Sequence, residues 1–157
     1  MLLTSCHNYV TILLSLSGGL NFSLMQKGGG VKKEFIAYAG EKLIIEWYFD
    51  NRDKSQGLDY FEKLPKARQN KIFYLFRWLG NSGKILNQKK FRYEGDKIYA
   101  LKVSQDRFLC FFFDGNKVII TNAYQKKTAK MPPKEKEKSL NARKNYIDWC
   151  KEGRYYE

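Results

Sequence analysis

Lysine, arginine and tyrosine are the side chains in the body of this chain whose types and spacing could carry chemistry. The cations of interest are Lys89, Lys90, Arg92, Lys102, Arg107, Lys126, Lys127 and Lys130, with Tyr124 among them. One reaction needs little more. In RNA cleavage a 2′-hydroxyl attacks the neighbouring phosphate, negative charge builds on the phosphoryl oxygens, and the 5′-oxygen leaves. Cations aimed at that phosphate stabilise the charge. A base must take the 2′ proton and an acid must supply one to the leaving oxygen. A lysine crowded by other cations has a lowered pKa, because each like charge disfavours its protonated form. Such a lysine could serve as the base. The same residues could also hold phosphate without any chemistry.

Other chemistries lack their parts. There is no P-loop, dinucleotide fingerprint, G-x-S-x-G or H-E-x-x-H motif. The single histidine, His7, lies in the first thirty residues. Cys6, Cys110 and Cys150 are widely spaced, with no C-x-x-C pair, so no disulfide framework and no zinc site is expected. No metal or other cofactor is called for. A reducing cytoplasmic compartment fits this cysteine usage. Asp106 and Asp114 read as turn formers.

The charge is unevenly placed. The chain of 157 residues has a net charge of +13, which favours polyanionic partners. From Val31 to Gly83 there are ten Lys/Arg against seven Asp/Glu, and from Lys84 to Lys144 sixteen against six. The candidate site and its flanks therefore carry nearly all of the excess.

The elements that must position these residues follow from the pattern. Ile98 to Ser104 reads as a strand with Tyr99, Leu101 and Val103 on one face and Ile98, Ala100 and Lys102 on the other. After a turn, Arg107 to Phe113 is apolar on both sides, as a central strand should be. Asp114-Gly115-Asn116 is a turn signal, and Lys117 to Tyr124 makes a third strand. Upstream, Glu41 to Phe49 reads as a strand and Leu58 to Leu64 as a short helix. Lys66 to Leu79 is the clearest helix, with Ile72, Leu75, Phe76 and Leu79 on one buried face. Asn81 to Asp96 reads as a charged loop in which Phe91 and Tyr93 flank Arg92 and could stack on bases. Pro132-Pro133 opens a last helix over residues 134–150, followed by a frayed end at 154–157.

Residues 1–30 differ from the rest. Met1 to Gln26 holds no Lys, Arg, Asp or Glu, and its apolar stretch is too short and polar to cross a membrane. It lacks the positive start of a signal peptide. Lys27-Gly28-Gly29 can be encoded by a purine-rich run like a bacterial ribosome-binding site. Residues 1–30 are thus expected to be a doubtful leader or a mis-called start, with the working domain spanning 31–157.

The ordered features from Glu41 to Trp149 resemble the RelE/HigB superfamily of bacterial type II toxins, in particular its phage-derived branch. The residues carrying the resemblance are Ile98-Tyr99-Ala100-Leu101-Lys102-Val103, Arg107-Phe108, and Asn122-Ala123-Tyr124-Gln125-Lys126-Lys127-Thr128, followed by Pro132 and Pro133. The resemblance implies a small α+β fold, with helices on one face of an antiparallel-dominated sheet and a basic concave site on the other. It implies a metal-independent, ribosome-dependent messenger RNA endoribonuclease, neutralised by a cognate antitoxin in a hetero-oligomer. On that reading Lys102, Arg107, Lys126 and Tyr124 are catalytic, and Lys89, Lys90, Arg92, Lys127 and Lys130 hold RNA. Lys102 stands where the family has an arginine and so lacks its planar fork. Ala100 replaces a Glu, Asn122 replaces a His, and prolines replace a late tyrosine. Two alternatives remain open: a ParE-type gyrase inhibitor of the same fold, and an RNA-binding module without activity.

Overall fold

A strand that is apolar on both sides must be covered on both sides, and that requirement sets the architecture. In the computed structural model, which describes residues 33–157, six strands form one sheet. They are β1 (Ile36–Ala39), β2 (Ile44–Trp47), β3 (Phe91–Tyr93), β4 (Tyr99–Val103), β5 (Asp106–Phe113) and β6 (Lys117–Gln125). Three helices accompany them: α1 (Gln56–Glu62), α2 (Lys66–Ser82) and α3 (Pro133–Lys151). The spatial order is β1-β2-β6-β5-β4-β3. Every neighbouring pair is antiparallel except β2 and β6, which run parallel. The expected α+β class and antiparallel-dominated sheet are what the chain forms. The leader expected at residues 1–30 lies outside the described residues.

The β4–β5–β6 meander falls where the turn signals put it. Its face assignment holds as well. Leu101 and Val103 join Phe108, Cys110, Val118 and Ile120 under α1 and α2, where Ile72, Leu75, Phe76 and Leu79 fill the core. Ile98 and Ala100 join Leu109, Phe111 and Ile119 on the opposite face.

That second face corrects the expectation of helices on one side only. α3 packs there through Ala142 and Tyr146. The physical reason is in the sequence: Leu109, Phe111 and Ile119 are fully buried and would otherwise face water. Their cover stops short of Lys102 and Arg107.

Three local expectations also change. Asn81 to Asp96 is not all loop, since Phe91–Tyr93 forms the edge strand β3. Asp106 is not a turn former but the first residue of β5, with no exposure at all. It accepts hydrogen bonds from the Tyr60 hydroxyl at 2.6 Å and from Arg68 Nε at 2.8 Å, and pairs with Arg68 Nη2. The end of the chain is packed, not frayed. Tyr155 is buried, and its hydroxyl accepts from the Phe49 amide at 2.8 Å. The Tyr156 hydroxyl donates to the buried Glu46 carboxylate at 2.6 Å, which also pairs with Lys117 at 3.2 Å. Strand β1 was not expected; at four residues it is too short to show a period.

One contact welds the β1–β2 turn to α2. The Gly80 carbonyl accepts from both the Lys42 and Leu43 amides, at 2.9 and 2.8 Å. Gly40 lies so close that a Cβ there would stand 2.2 Å from the Gly80 carbonyl carbon. Backbone on both sides leaves no room for a side chain to give way. Gly40→Ala is therefore expected to lose about 3 kcal/mol, the upper end of the overpacking range, read as a lower midpoint in urea at unchanged slope. Tyr155→Phe leaves the buried Phe49 amide without its partner and should cost about 1–3 kcal/mol.

A cation-lined candidate site at the open end of the sheet

Strand register brings the cations together. Lys102 on β4 stands directly opposite Arg107 on β5, and Arg107 stands opposite Tyr124 on β6. Cross-strand partners share a face with Cβ atoms about 4.5–5.5 Å apart. Arg92 on β3 pairs with Ala100, two residues before Lys102, so it lies on the same face. The four side chains and Lys126, Lys130, Met131 and Glu94 line a pocket of about 200 Å³. It occupies the part of the second sheet face that α3 leaves open. The segment 126–131, which leads into α3, forms its wall; the Lys126 amide donates to the Gln105 carbonyl at 2.7 Å and fixes where that segment starts.

Backbone carbonyls hold the two central cations. Lys102 Nζ donates to the Gln88 carbonyl at 3.1 Å, and Arg107 Nη1 donates to the Ser104 and Asp106 carbonyls at 2.8 and 2.9 Å. Because Asp106 is itself anchored by Arg68 and Tyr60, the β4–β5 turn gives Arg107 a firm base. Burial and then the nearby Arg107, Arg92 and Lys126 push the Lys102 ammonium below its usual value, with Glu94 acting the other way. Burial raises the Tyr124 hydroxyl above its usual value, against the pull of Arg107. At neutral pH Tyr124 therefore keeps its proton and can donate a hydrogen bond.

Glu94 is the carboxylate that sequence reasoning missed. Its side chain is one-fifth exposed, and it sits 4.0 Å from Arg92 Nε. The adjoining β3–β4 turn is unusual: Gly95, Asp96 and Lys97 all have positive φ, at 87°, 53° and 63°. The Glu94 amide donates to the Ile98 carbonyl at 2.8 Å, and Asp96 pairs with Lys136 of α3 at 2.6 Å. The turn is thus tied to the helix, and Glu94 is aimed at the pocket. The signal was alternation: Arg92 and Glu94 are two apart, and reading 91–94 as a strand would have put both on one face.

The structure does not bring every expected residue to this place. Lys89 and Lys127 are exposed and do not line the pocket. Lys90 lines a different groove, on the α2 side of the sheet. Phe91 and Tyr93 face away from Arg92, toward Tyr99, so they do not flank it as a stacking pair. Asn122, at the position of the expected histidine, is buried, and its Nδ2 donates to the Glu135 carboxylate at 3.0 Å. It tethers α3 to the sheet. Among the described residues, no group of three or more His, Cys, Asp or Glu could hold a metal.

Comparison with known proteins places the chain in the Gp49-like family of phage-derived proteins (DUF891), whose profile matches residues 59–144. The chain belongs to that family, a toxin-like group related to the RelE/HigB type II toxins. No curated protein matches the chain. The matched segment contains α2, all the strands that build the pocket and the first part of α3. None of the described helices is long and apolar enough to cross a membrane.

The geometry ranks the cations by their expected effect on phosphate binding. Removing one phosphate contact should lower the log–log salt slope for a single-stranded RNA by about 0.7. Lys102→Ala and Lys126→Ala are each expected to do so in filter binding across a salt series, while Lys127→Ala should leave the slope as it is.

Proposed function

We propose that this protein is the toxin of a bacterial type II toxin–antitoxin pair and cleaves messenger RNA in the ribosomal A site. The carrying observation is the row of Lys102, Arg107 and Tyr124 across three paired strands, with Arg92, Lys126 and Glu94 around it. Five cations around one small pocket suit a phosphodiester that gains charge as it reacts. The pocket is shallow and polar, so it suits a backbone phosphate better than a buried small molecule. The family's toxin-like character supports the same reading.

The chemistry is an in-line displacement. Glu94 takes the proton of the 2′-hydroxyl, the 2′-oxygen bonds to phosphorus, and the bond from phosphorus to the 5′-oxygen breaks. Arg107, Arg92 and Lys126 stabilise the charge on the non-bridging oxygens. Lys102, whose lowered pKa makes it a better acid than an ordinary lysine, gives its proton to the leaving 5′-oxygen. The products are a 2′,3′-cyclic phosphate and a 5′-hydroxyl. Tyr124 keeps its proton and donates a hydrogen bond to the phosphate. In this role Glu94 fills the gap left by the missing histidine.

The partners that go with this function are messenger RNA on the ribosome and an antitoxin that binds the toxin in the cytoplasm. Toeprinting on translating ribosomes should show new 5′ ends within A-site codons when the protein is added. Arg107→Ala is expected to slow cleavage about 10²–10³-fold, as for loss of one charge-stabilising donor. Growth arrest with no A-site cleavage and with blocked DNA supercoiling would instead support a gyrase inhibitor.

The proton roles predict a pH signature. Lys102 acts protonated, so the rate falls on the alkaline side as pH rises through its lowered pKa. In Lys102→Arg the rate should fall and that alkaline limb should disappear, because arginine does not give up its proton in this range. Glu94→Gln should lose most of the rate across the whole range. Single-turnover rates measured from pH 5 to about pH 10 check both.

A further inference from the structure

The stretch between Glu62 and Glu94 contains nine Lys/Arg and no Asp or Glu. Four of the nine belong to the loop after α2 and the edge strand β3. Helix α2 carries others on its outer side, where Lys71, Tyr74 and Arg77 follow one another at intervals of three and are all exposed. Residues at that spacing are neighbours on the helix surface. Tyr74 is 61% exposed, an unusual amount for an aromatic ring, and its only ring neighbour among the described contacts is Trp78 at 6.2 Å.

Beside this ridge runs a groove of about 390 Å³ between α2 and the end of β4. Lys71 and Tyr74 form one wall, Lys90 and Ser104 the other, and Leu75 and Val103 the floor. The groove lies on the α1/α2 side of the sheet, and the phosphate pocket on the α3 side. The two share a rim. The Lys102 amide donates to the Lys90 carbonyl at 2.8 Å, so the residue that serves the pocket is bonded to the residue that serves the groove.

We propose that this groove is a second contact for single-stranded RNA. Lys71 and Lys90 hold a backbone phosphate, and a base stacks on Tyr74. A strand whose scissile phosphate sits by Lys102 and Arg107 would cross the β4–β5 turn and continue into the groove. The inference rests on the reading that the partner is RNA. Two observations favour RNA over an acidic protein. The apolar floor is covered, with Leu75 and Val103 at 1% and 4% exposure, so a protein partner would find little apolar surface to bury. Cations alternate with an exposed aromatic, which is how sequence-tolerant single-strand surfaces are built.

The test uses 2′-O-methyl RNA, which lacks the nucleophile and stays intact, in probes of about 4 and about 16 nucleotides, the span of single-strand site sizes. Fluorescence anisotropy gives affinity for the full chain and its variants. Tyr74→Ala should weaken the long probe about 5- to 150-fold, as for loss of one base–aromatic stack, and leave the short probe unchanged. Lys71→Gln should lower the salt slope of the long probe by about 0.7. Both side chains are exposed, so the fold should be kept, and an unchanged melting temperature verifies this. If both variants bind the long probe as the wild type does, the groove is not an RNA contact. Weakened binding only to poly-glutamate would overturn the proposal in favour of an acidic protein. Cleavage and groove binding fail separately: long-probe affinity unchanged in both variants with intact A-site cleavage refutes the groove alone, and weakened long-probe binding in the variants without any cleavage by the wild type refutes the nuclease alone.

Discussion

Lys102 and Arg107 face each other across paired strands, and like charges in that position repel. Nothing about a sheet favours such a pair. The surrounding structure has to offset it, and much of the site's construction does so. Each cation donates to backbone carbonyls beside it: Lys102 to Gln88, and Arg107 to Ser104 in the turn and Asp106 at the start of β5. Glu94 adds one opposing charge nearby. The remaining imbalance is what an anionic ligand would relieve. A bound phosphate would be stabilised by an arrangement that is unfavourable without it; the Lys102 ammonium is pushed below its usual value by burial first and by the neighbouring cations second.

The two faces of the sheet divide the work. α1 and α2 close one face with a continuous aromatic and aliphatic core that includes Trp47, Phe76 and Phe108. α3 closes the other only in part. Its position is fixed by Tyr146 against Phe111 and Phe113, by Ser139 at 2.7 Å from Thr121, and by Asn122 to Glu135. The C-terminal tyrosines add to this packing from Glu46 and Phe49. Where α3 begins, its cover ends, and the pocket lies there. The same helix reaches back through Lys136 to Asp96 and so to the turn that carries Glu94. An exposed ion pair of this kind contributes about 0.2–1 kcal/mol, so its value lies in placing the turn more than in stability.

Much of this was legible in the sequence, for identifiable reasons. The β4–β5–β6 meander has turn residues at both bends and a clean alternation in β4, so its register follows and Lys102 is placed on the face away from Leu101 and Val103. α2 has a full apolar stripe and a glycine stop. The residues that escaped lie in elements too short to show a period. β3 is three residues long, and reading it as loop hid both the direction of Arg92 and the presence of Glu94. It also suggested that Phe91 and Tyr93 flank Arg92, when strand geometry turns them to the other face. Asp106 reads locally as a turn former because aspartate favours turns, but its partners Arg68 and Tyr60 are 38 and 46 residues away in sequence. Partners that distant leave no local trace. The burial of the C-terminal tyrosines escaped for the same reason, since Glu46 and Phe49 are more than a hundred residues upstream.

On the proposed reading the cation-lined pocket breaks RNA by attack of the RNA's own 2′-hydroxyl. The chemical nature of the ends tests it most directly. Messenger RNA recovered from programmed ribosomes after treatment with the purified protein should carry a 2′,3′-cyclic phosphate, or the 3′-phosphate it hydrolyses to, on one fragment and a 5′-hydroxyl on the other. Fragments with a 3′-hydroxyl and a 5′-phosphate, or intact RNA under conditions that arrest translation, would contradict it.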